Sequence, residues 1–100
     1  MTEPLAIALL GAGHMGGSFV LALRAHGAQV SVSAYDPLPH HLDILAARGG
    51  IDRVCSSAHE AVQHADLVIL AAPLRSYRAL AQAIPPALKL EAIVTDLGSV

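Results

Sequence analysis

The sequence predicts an α/β fold built around a parallel sheet. Apolar runs of strand length recur along the chain, and the segments between them have helical spacing. A glycine-rich stretch, GAGHMGGS (11–18), directly follows the first run, which is typical of a strand that turns into a helix. We therefore expect a Rossmann-type, doubly wound, mainly parallel sheet with helices on both faces.

Four strands are predicted from the apolar runs. These are LAIALL (5–10), QVSVSAY (29–35), DLVILAA (66–72) and AIVTDL (92–97). The first and third are almost wholly apolar, as in strands that are covered on both faces, whereas the second alternates between apolar and polar residues. We expect the second strand to lie nearer an edge, or to have one solvated face.

The intervening segments predict helices and one weaker strand. Met15, Phe19, Val20 and Leu23 repeat at helical intervals before Gly27, which predicts a helix over 14–26. The other predicted elements are a helix over 38–48, a short strand in DRVCS (52–56), a helix near 57–64, and a helix in RSYRALAQAI (75–84) that Pro85 and Pro86 end.

Composition restricts the function classes. A chain of 100 residues is expected to be one domain or part of one, and its 54% hydrophobic and 14% charged residues exclude a disordered chain. The formal charge of −2 offers no basic surface for nucleic acid, and no apolar run reaches bilayer length, so neither a nucleic acid nor a membrane is an expected partner. Cys55 is the single cysteine, so no disulfide framework is expected, which favours a reduced, cytoplasmic setting. We expect Cys55 itself to be a small buried apolar side chain.

Three glycines form a G-x-G-x-x-G motif between the first strand and the first helix. Gly11 permits the tight turn, Gly13 lets a pyrophosphate approach the backbone, and Gly16 allows close packing of helix on strand. The first turn of the helix offers N–H groups and the positive end of its dipole to an anion. The motif predicts a dinucleotide site, with the backbone of His14 and Met15 beside the phosphates.

Asp36 ends the second strand, 20 residues after Gly16, where a carboxylate accepts hydrogen bonds from the ribose hydroxyls of NAD. Its charge repels a 2′-phosphate, and no Arg or Lys follows before Arg48, so NAD is favoured over NADP. Against this, His40 and His41 could meet a phosphate if they were protonated. Asp36 could also be only a turn residue before Pro37.

The remaining candidates are weaker. Ala72, Pro73 and Leu74 follow the predicted strand over 66–72, and ligands of open α/β sheets bind beyond the carboxyl ends of strands. We expect these residues to line the cofactor crevice. The six histidines lack the i, i+4 spacing of two ligands on one helix face, so no metal site is predicted.

Five stretches together resemble the nucleotide-binding domain of prephenate dehydrogenases and their arogenate-using relatives. They are GAGHMGGS (11–18), YD (35–36), GGID (49–52), ADLVILAAP (65–73) and IVTDLGSV (93–100). The resemblance implies an enzyme of tyrosine biosynthesis, in which oxidative decarboxylation of prephenate or arogenate passes a hydride to NAD. It also implies a helical C-terminal domain that dimerises, so we expect residues 1–100 to be truncated before that domain.

The resemblance carries one catalytic-site residue over to this chain. Ser99 matches the serine of the family's GSV motif, which lies near the catalytic histidine and the substrate. That histidine follows the motif and is expected beyond residue 100. Ser99 is therefore an auxiliary candidate, with a turn or capping serine as the alternative.

Two other interpretations stay open. The family usually carries apolar residues where His14 and Met15 stand, and GHMG (13–16) resembles 3-hydroxyacid dehydrogenases and pyrroline-carboxylate reductases. A related hydroxyacid dehydrogenase or imine reductase is thus an alternative. A regulatory module that binds NAD without catalysis is the other, because it would need the same glycine turn and Asp36.

Overall fold

The structure is a computed structural model that describes residues 4–71, 84, 85, 88 and 93–96, without the side chains of His14, Met15, Val94 and Asp96. The strands are β1 (Leu5–Leu10), β2 (Val30–Tyr35), β3 (Arg53–Val54), β4 (Leu67–Leu70) and β5 (Ile93–Asp96). The helices are α1 (His14–Ala25), α2 (Pro39–Ala47) and α3 (Ala58–Val62). No helix in these ranges is long and apolar enough to cross a bilayer.

The five strands form one parallel sheet in the order β3-β2-β1-β4-β5. β1 is central, and its last residue, Leu10, pairs with Tyr35 on one side and with Leu70 on the other. The chain therefore builds outward from β1 to β3, then crosses to the opposite side for β4 and β5. This reversal is the switch point of a doubly wound sheet, so the predicted fold class is confirmed.

Helices cover both faces of the sheet. Alternate residues of β1 point to opposite sides, and each side belongs to a separate buried cluster. Ala8 and Leu10 share a cluster with α3, whereas Ile7 and Leu9 share one with buried residues of α1 and α2. Both faces of β1 are thus excluded from water, which explains why its sequence is apolar throughout.

The second strand behaves as its alternating sequence predicts. β2 lies between β1 and the two-residue edge strand β3, so it is the inner neighbour of the edge. Val32 and Ala34 are fully buried, while Ser31 is exposed. One face of β2 therefore faces the core and the other is partly solvated.

The predicted helices are present, with ends that differ by a few residues. α1 ends at Ala25, where Gly27 has φ +82, a left-handed conformation that suits glycine after a helix. α3 is shorter than predicted and begins at a Ser57 cap whose hydroxyl accepts from the Glu60 amide. The helix predicted over 75–84 lies outside the described residues, except for Ile84.

Asp52 links helix α1 to the sheet. Its carboxylate accepts from the Val32 amide at 2.7 Å and from the Arg24 guanidinium at 2.6 Å. Burial opposes ionisation of Asp52, but these two partners outweigh it and lower the pKa of its carboxyl group. These contacts link the last turn of α1 to β2.

Candidate nucleotide-binding site

The glycine turn lies at the carboxyl edge of the sheet, between β1 and α1. Gly11 has φ +103, a backbone conformation that side chains disfavour, and its amide donates to the Tyr35 carbonyl at 2.8 Å. The hydrogen-bonded contact between β1 and β2 thus continues to the first residue of the turn. The sequence assigned Gly11 to the tight turn, and the structure places it there.

Gly16 is required by close packing. A Cβ at this position would collide with the Gly11 carbonyl oxygen and lie 2.9 Å from the Ala71 Cβ and 3.2 Å from the Leu9 Cδ1. Two of these three neighbours belong to the backbone or sit directly on it, so they cannot turn aside. The first turn of α1 is therefore pressed against the ends of β1 and β4, as the third glycine of the motif predicts.

Gly13 differs from Gly16 because the described residues leave the space in front of it open. The nearest atoms to a Cβ built there are His41 Cε1 at 3.9 Å and Nδ1 at 4.0 Å, which is ordinary van der Waals contact. Its backbone is extended, with φ −73 and ψ −164, so any residue could adopt it. Neither the local packing nor the backbone conformation requires glycine at position 13. A requirement for glycine there would have to come from a ligand that approaches the backbone.

The start of α1 is suited to an anion. Gly13 is the N-terminal cap, and among the described residues no side chain caps the helix and none in its first turn is acidic. The first N–H groups of a helix lack partners within the helix, and the dipole gives them partial positive charge. The open face of Gly13 and these N–H groups form a surface that fits a phosphate.

Asp36 lies beside this surface and is buried, with 6% of its side chain exposed. One carboxylate oxygen, Oδ2, accepts from the Ala12 amide at 2.7 Å and contacts His41 Nδ1 at 2.9 Å. The other, Oδ1, accepts from the Leu38 amide at 2.7 Å. The carboxylate thus connects the glycine turn, the end of β2 and the first turn of α2.

These contacts keep Asp36 ionised. Burial by itself would raise the pKa of its carboxyl group, but the amides of Ala12 and Leu38 and the imidazole of His41 stabilise the anion and lower the pKa below its usual value. At neutral pH a negative charge therefore lies at the border of the glycine turn. A phosphate placed against this oxygen pair would be repelled.

The structure adds protein partners to the ribose contact that the sequence predicts for Asp36. Its carboxylate already accepts hydrogen bonds from the amides of Ala12 and Leu38. Each carboxylate oxygen has two acceptor positions, and among the described residues Oδ1 accepts only from Leu38. Within these residues Oδ1 thus has one unused acceptor position, and the contacts of the carboxylate with Ala12 and Leu38 also give Asp36 a structural role.

Sequence reasoning missed two residues of this cluster. The sequence gives no signal for Ala12, because Ala12 contributes a backbone amide and its hydrogen bond to Asp36 joins residues 24 positions apart. For His41 it predicts only a possible phosphate contact and not the hydrogen bond to Asp36. The available signal was its spacing, since His41 follows the carboxylate by five residues at the start of a predicted helix.

Several predicted site residues lie outside the described part of the chain: Ala72, Pro73, Leu74, Ser99 and the side chains of His14 and Met15. The backbone of His14 and Met15 forms the first turn of α1, directly after Gly13. Ala71, which precedes the predicted crevice residues, donates its amide to Leu10 at 2.8 Å and contacts the Gly16 position. The chain that leaves β4 thus starts beside the glycine turn.

Cys55 is not part of this site. It is 3% exposed and belongs to the apolar cluster on the α3 side of the sheet, which confirms the prediction of a small buried side chain. Burial raises the pKa of its thiol; the charge of Arg53 lowers this pKa by a smaller amount, and the charge of Glu60 raises it further. Its thiol is therefore protonated and unreactive at neutral pH.

Residues 6–98, which include the glycine turn and all five strands, match the family described as NADP oxidoreductase, coenzyme F420-dependent. The chain belongs to this family. The match extends from within β1 to beyond β5, so it covers the whole sheet and not only the glycine motif.

Curated and solved relatives confirm the resemblance to the prephenate and arogenate group. The cyclohexadienyl dehydrogenase of Zymomonas mobilis subsp. mobilis is 39% identical over 94 residues, which are 94% of this chain and 32% of that protein. The structure of prephenate dehydrogenase from A. aeolicus, in complex with hydroxyphenyl propionate and NAD+, superposes with a TM-score of 0.86 at 31% identity, covering 99% of this chain and 35% of that one.

A relative with different chemistry is almost as similar. The pyrroline-5-carboxylate reductase of Pseudomonas aeruginosa is 37% identical over 94 residues, covering 93% of this chain and 34% of that protein. The chain thus spans about a third of the length of the relatives that it matches. This relative agrees with the resemblance of GHMG (13–16) to pyrroline-carboxylate reductases.

Proposed function

We propose that this chain is the NAD-binding unit of a dehydrogenase that acts on prephenate or arogenate. The observation that carries the proposal is the pairing of an open Gly13 with an ionised Asp36, joined through the 2.7 Å hydrogen bond from the Ala12 amide. The first feature accommodates a pyrophosphate, and the second accommodates a ribose while disfavouring a 2′-phosphate.

The residues present fit NAD. The N–H groups at the start of α1 would bind the pyrophosphate, Gly13 would let it approach the backbone, and Oδ1 of Asp36 would accept from an adenosine ribose hydroxyl. When bound, NAD supplies the hydride acceptor. The family description names NADP, so NADP is the second candidate cofactor, and the charge of Asp36 is the reason to favour NAD.

The substrate assignment rests on the relatives. Two relatives are named cyclohexadienyl dehydrogenase and prephenate dehydrogenase. On the family resemblance of the sequence motifs we propose an oxidative decarboxylation in tyrosine biosynthesis, carried out by a cytoplasmic homodimer. A helical domain that follows residues 1–100 would complete the substrate pocket and carry the histidine that accepts the hydroxyl proton. Ser99 would orient that histidine or the substrate, because a serine without an adjacent base is a poor proton acceptor.

Two alternatives predict different results. A reductase of the pyrroline-carboxylate type, or a 3-hydroxyacid dehydrogenase, would use the same glycine turn on another substrate. A regulatory module would bind NAD and catalyse nothing. Calorimetric titration of the chain with NAD tests the cofactor site first, and absence of binding would reject every form of the proposal.

The activity assay separates the remaining alternatives. We expect the full-length protein to form NADH when prephenate or arogenate is added, and residues 1–100 alone to bind NAD without turnover. Catalysis requires the hydride acceptor, the base and the substrate to be held together. NADH consumption with pyrroline-carboxylate, or NADH formation with 3-hydroxyacids, in the absence of turnover of prephenate and arogenate would favour the related enzymes. NAD binding without turnover of any of these substrates would favour the regulatory module.

A further inference from the structure

The contact between His41 and Asp36 defines which ring nitrogen of His41 carries a proton. Nδ1 of His41 lies 2.9 Å from Oδ2 of Asp36, and an ionised carboxylate can only accept a hydrogen bond. Nδ1 is therefore the donor. The other ring nitrogen, Nε2, then carries a lone pair when the imidazole is neutral and an N–H when it is protonated.

His41 lies between the two parts of the predicted site. Its Cε1 atom, which joins the two ring nitrogens, is the nearest atom to a Cβ built on Gly13, and its Nδ1 contacts Asp36. The side chain is 30% exposed, so a ligand can reach it. The same ring therefore borders both the predicted pyrophosphate surface and the predicted ribose position.

The charged and titratable groups around His41 come from two elements in the described part of the chain. Asp36 approaches from the end of β2, and α2 adds the adjacent His40, whose ring lies edge-on at 4.4 Å, and Arg48 at its end. His41 and Arg48 share a groove of about 250 Å³ between α1 and α2, where the described side chains of α1 are uncharged. Asp36 is the only carboxylate bonded to His41 among them.

We propose that His41 selects between NAD and NADP according to its protonation, a proposal that rests on the proposed function. Neutral His41 accepts a hydrogen bond at Nε2 from a ribose hydroxyl and leaves the charge of Asp36 uncompensated, which favours NAD. Protonated His41 donates from Nε2 and balances Asp36, which admits a 2′-phosphate. NADP should therefore compete better with NAD as the pH falls.

The test compares dissociation constants for NAD and NADP from about pH 8 to about pH 5.5, where histidines change charge. The 2′-phosphate itself takes up a proton with a pKa near 6, as other phosphate monoesters do, which also weakens its repulsion by Asp36. A His41→Asn variant separates the two effects, because the Asn amide can still donate to Asp36 from the Nδ1 position but cannot gain charge. His59→Asn, an exposed position on α3, is the matched control.

We expect acidification to reduce the wild-type preference for NAD by about tenfold more than that of His41→Asn, because hydrogen bonds to an ionised partner are about twice as strong as neutral ones. His59→Asn should follow the wild type. Equal pH dependence of the NAD preference in the wild type and His41→Asn would overturn the proposal. Loss of that pH dependence in His40→Asn, with His41→Asn unaffected, would overturn it as well. If neither nucleotide binds at any pH, the proposed function itself is wrong.

A second readout needs no cofactor. Nitrogen-15 NMR of the free protein at high pH should show His41 in the Nδ1–H tautomer, with a protonation step that His41→Asn removes. The Nε2–H tautomer in the neutral state would contradict the assigned hydrogen bond to Asp36. NAD binding in that case would leave the proposed function intact and reject only the role of His41.

Discussion

Exchanging single glycines of the turn should separate ligand binding from folding. Gly13→Ala places a methyl group 3.9 Å from the nearest described atom, so the fold accommodates it. Its expected cost is about 0.5–1 kcal/mol, because alanine is a poorer helix cap than glycine. Gly16→Ala places the methyl group against the Gly11 carbonyl oxygen and 2.9 Å from Ala71 Cβ, and such overpacking costs about 1–3 kcal/mol or more.

The two variants should therefore differ in which property they lose: NAD affinity in Gly13→Ala and stability in Gly16→Ala. Gly13→Ala should lose no more than about 0.5–1 kcal/mol of stability but should lose NAD affinity, since the methyl group stands where the pyrophosphate approaches. A hydrogen bond to a charged group contributes about 1.5–3 kcal/mol, so the loss of one such bond predicts a decrease of about 10- to 150-fold. Gly16→Ala should lower the free energy of unfolding.

Urea denaturation followed by circular dichroism measures stability, and calorimetric titration measures NAD affinity. Gly17→Ala is the control for stability, because its methyl group would lie 3.5 Å from Leu45 Cδ1 and alanine favours a helix. Unchanged NAD affinity in a folded Gly13→Ala variant would refute the assignment of the phosphate surface. Unchanged stability in Gly16→Ala would refute the close approach of α1 to the strands.

Three further predictions concern charge and reactivity. Asp36→Asn should reduce the preference for NAD over NADP by about tenfold, because it removes the repelling charge. It should also lower the free energy of unfolding by about 1–3 kcal/mol, because the Asn amide group faces the donors of Ala12 and Leu38. Calorimetry with both nucleotides and urea denaturation test these effects, and equal or tighter NADP binding by the wild type would contradict the role of Asp36. The folded-state pKa values of Asp36 and Asp52 are lowered, so their stabilisation is present at neutral pH and is lost as the pH falls through those values. The urea midpoint should decrease below about pH 4, and less steeply in Asp52→Asn, although solvent screening keeps the contribution of this half-exposed carboxylate small. Parallel pH profiles of the wild type and Asp52→Asn would argue against this role. Cys55, whose thiol pKa is raised by burial, should react with iodoacetamide only as urea unfolds the chain, so rapid alkylation of the folded protein would show that the thiol is accessible.

The order of the elements and the chemistry of the glycine turn can be predicted from the amino-acid sequence. β1 reads as a strand because its residues are apolar on both faces, and β2 reads as a half-covered strand because Val32 and Ala34 alternate with serines. Gly11 and Gly16 could be assigned from the motif, because the positive φ of Gly11 and the contacts of Gly16 with Gly11 and Leu9 arise within one strand-turn-helix unit, to which Ala71 adds a contact from the end of β4. These features are local, so periodicity and spacing are sufficient to predict them.

The hydrogen bonds of Asp36 depend on tertiary packing and could not be predicted from the sequence. The bond from the Ala12 amide spans 24 positions and exists because β1 and β2 are parallel neighbours, with their ends at the same edge. The hydrogen bond between His41 and Asp36 depends on where α2 begins after its loop. The ion pair between Arg24 and Asp52 depends on how α1 packs along the sheet. Side-chain chemistry indicates which groups can pair, but the pairing requires distances that arise only when separate strands and helices are packed together.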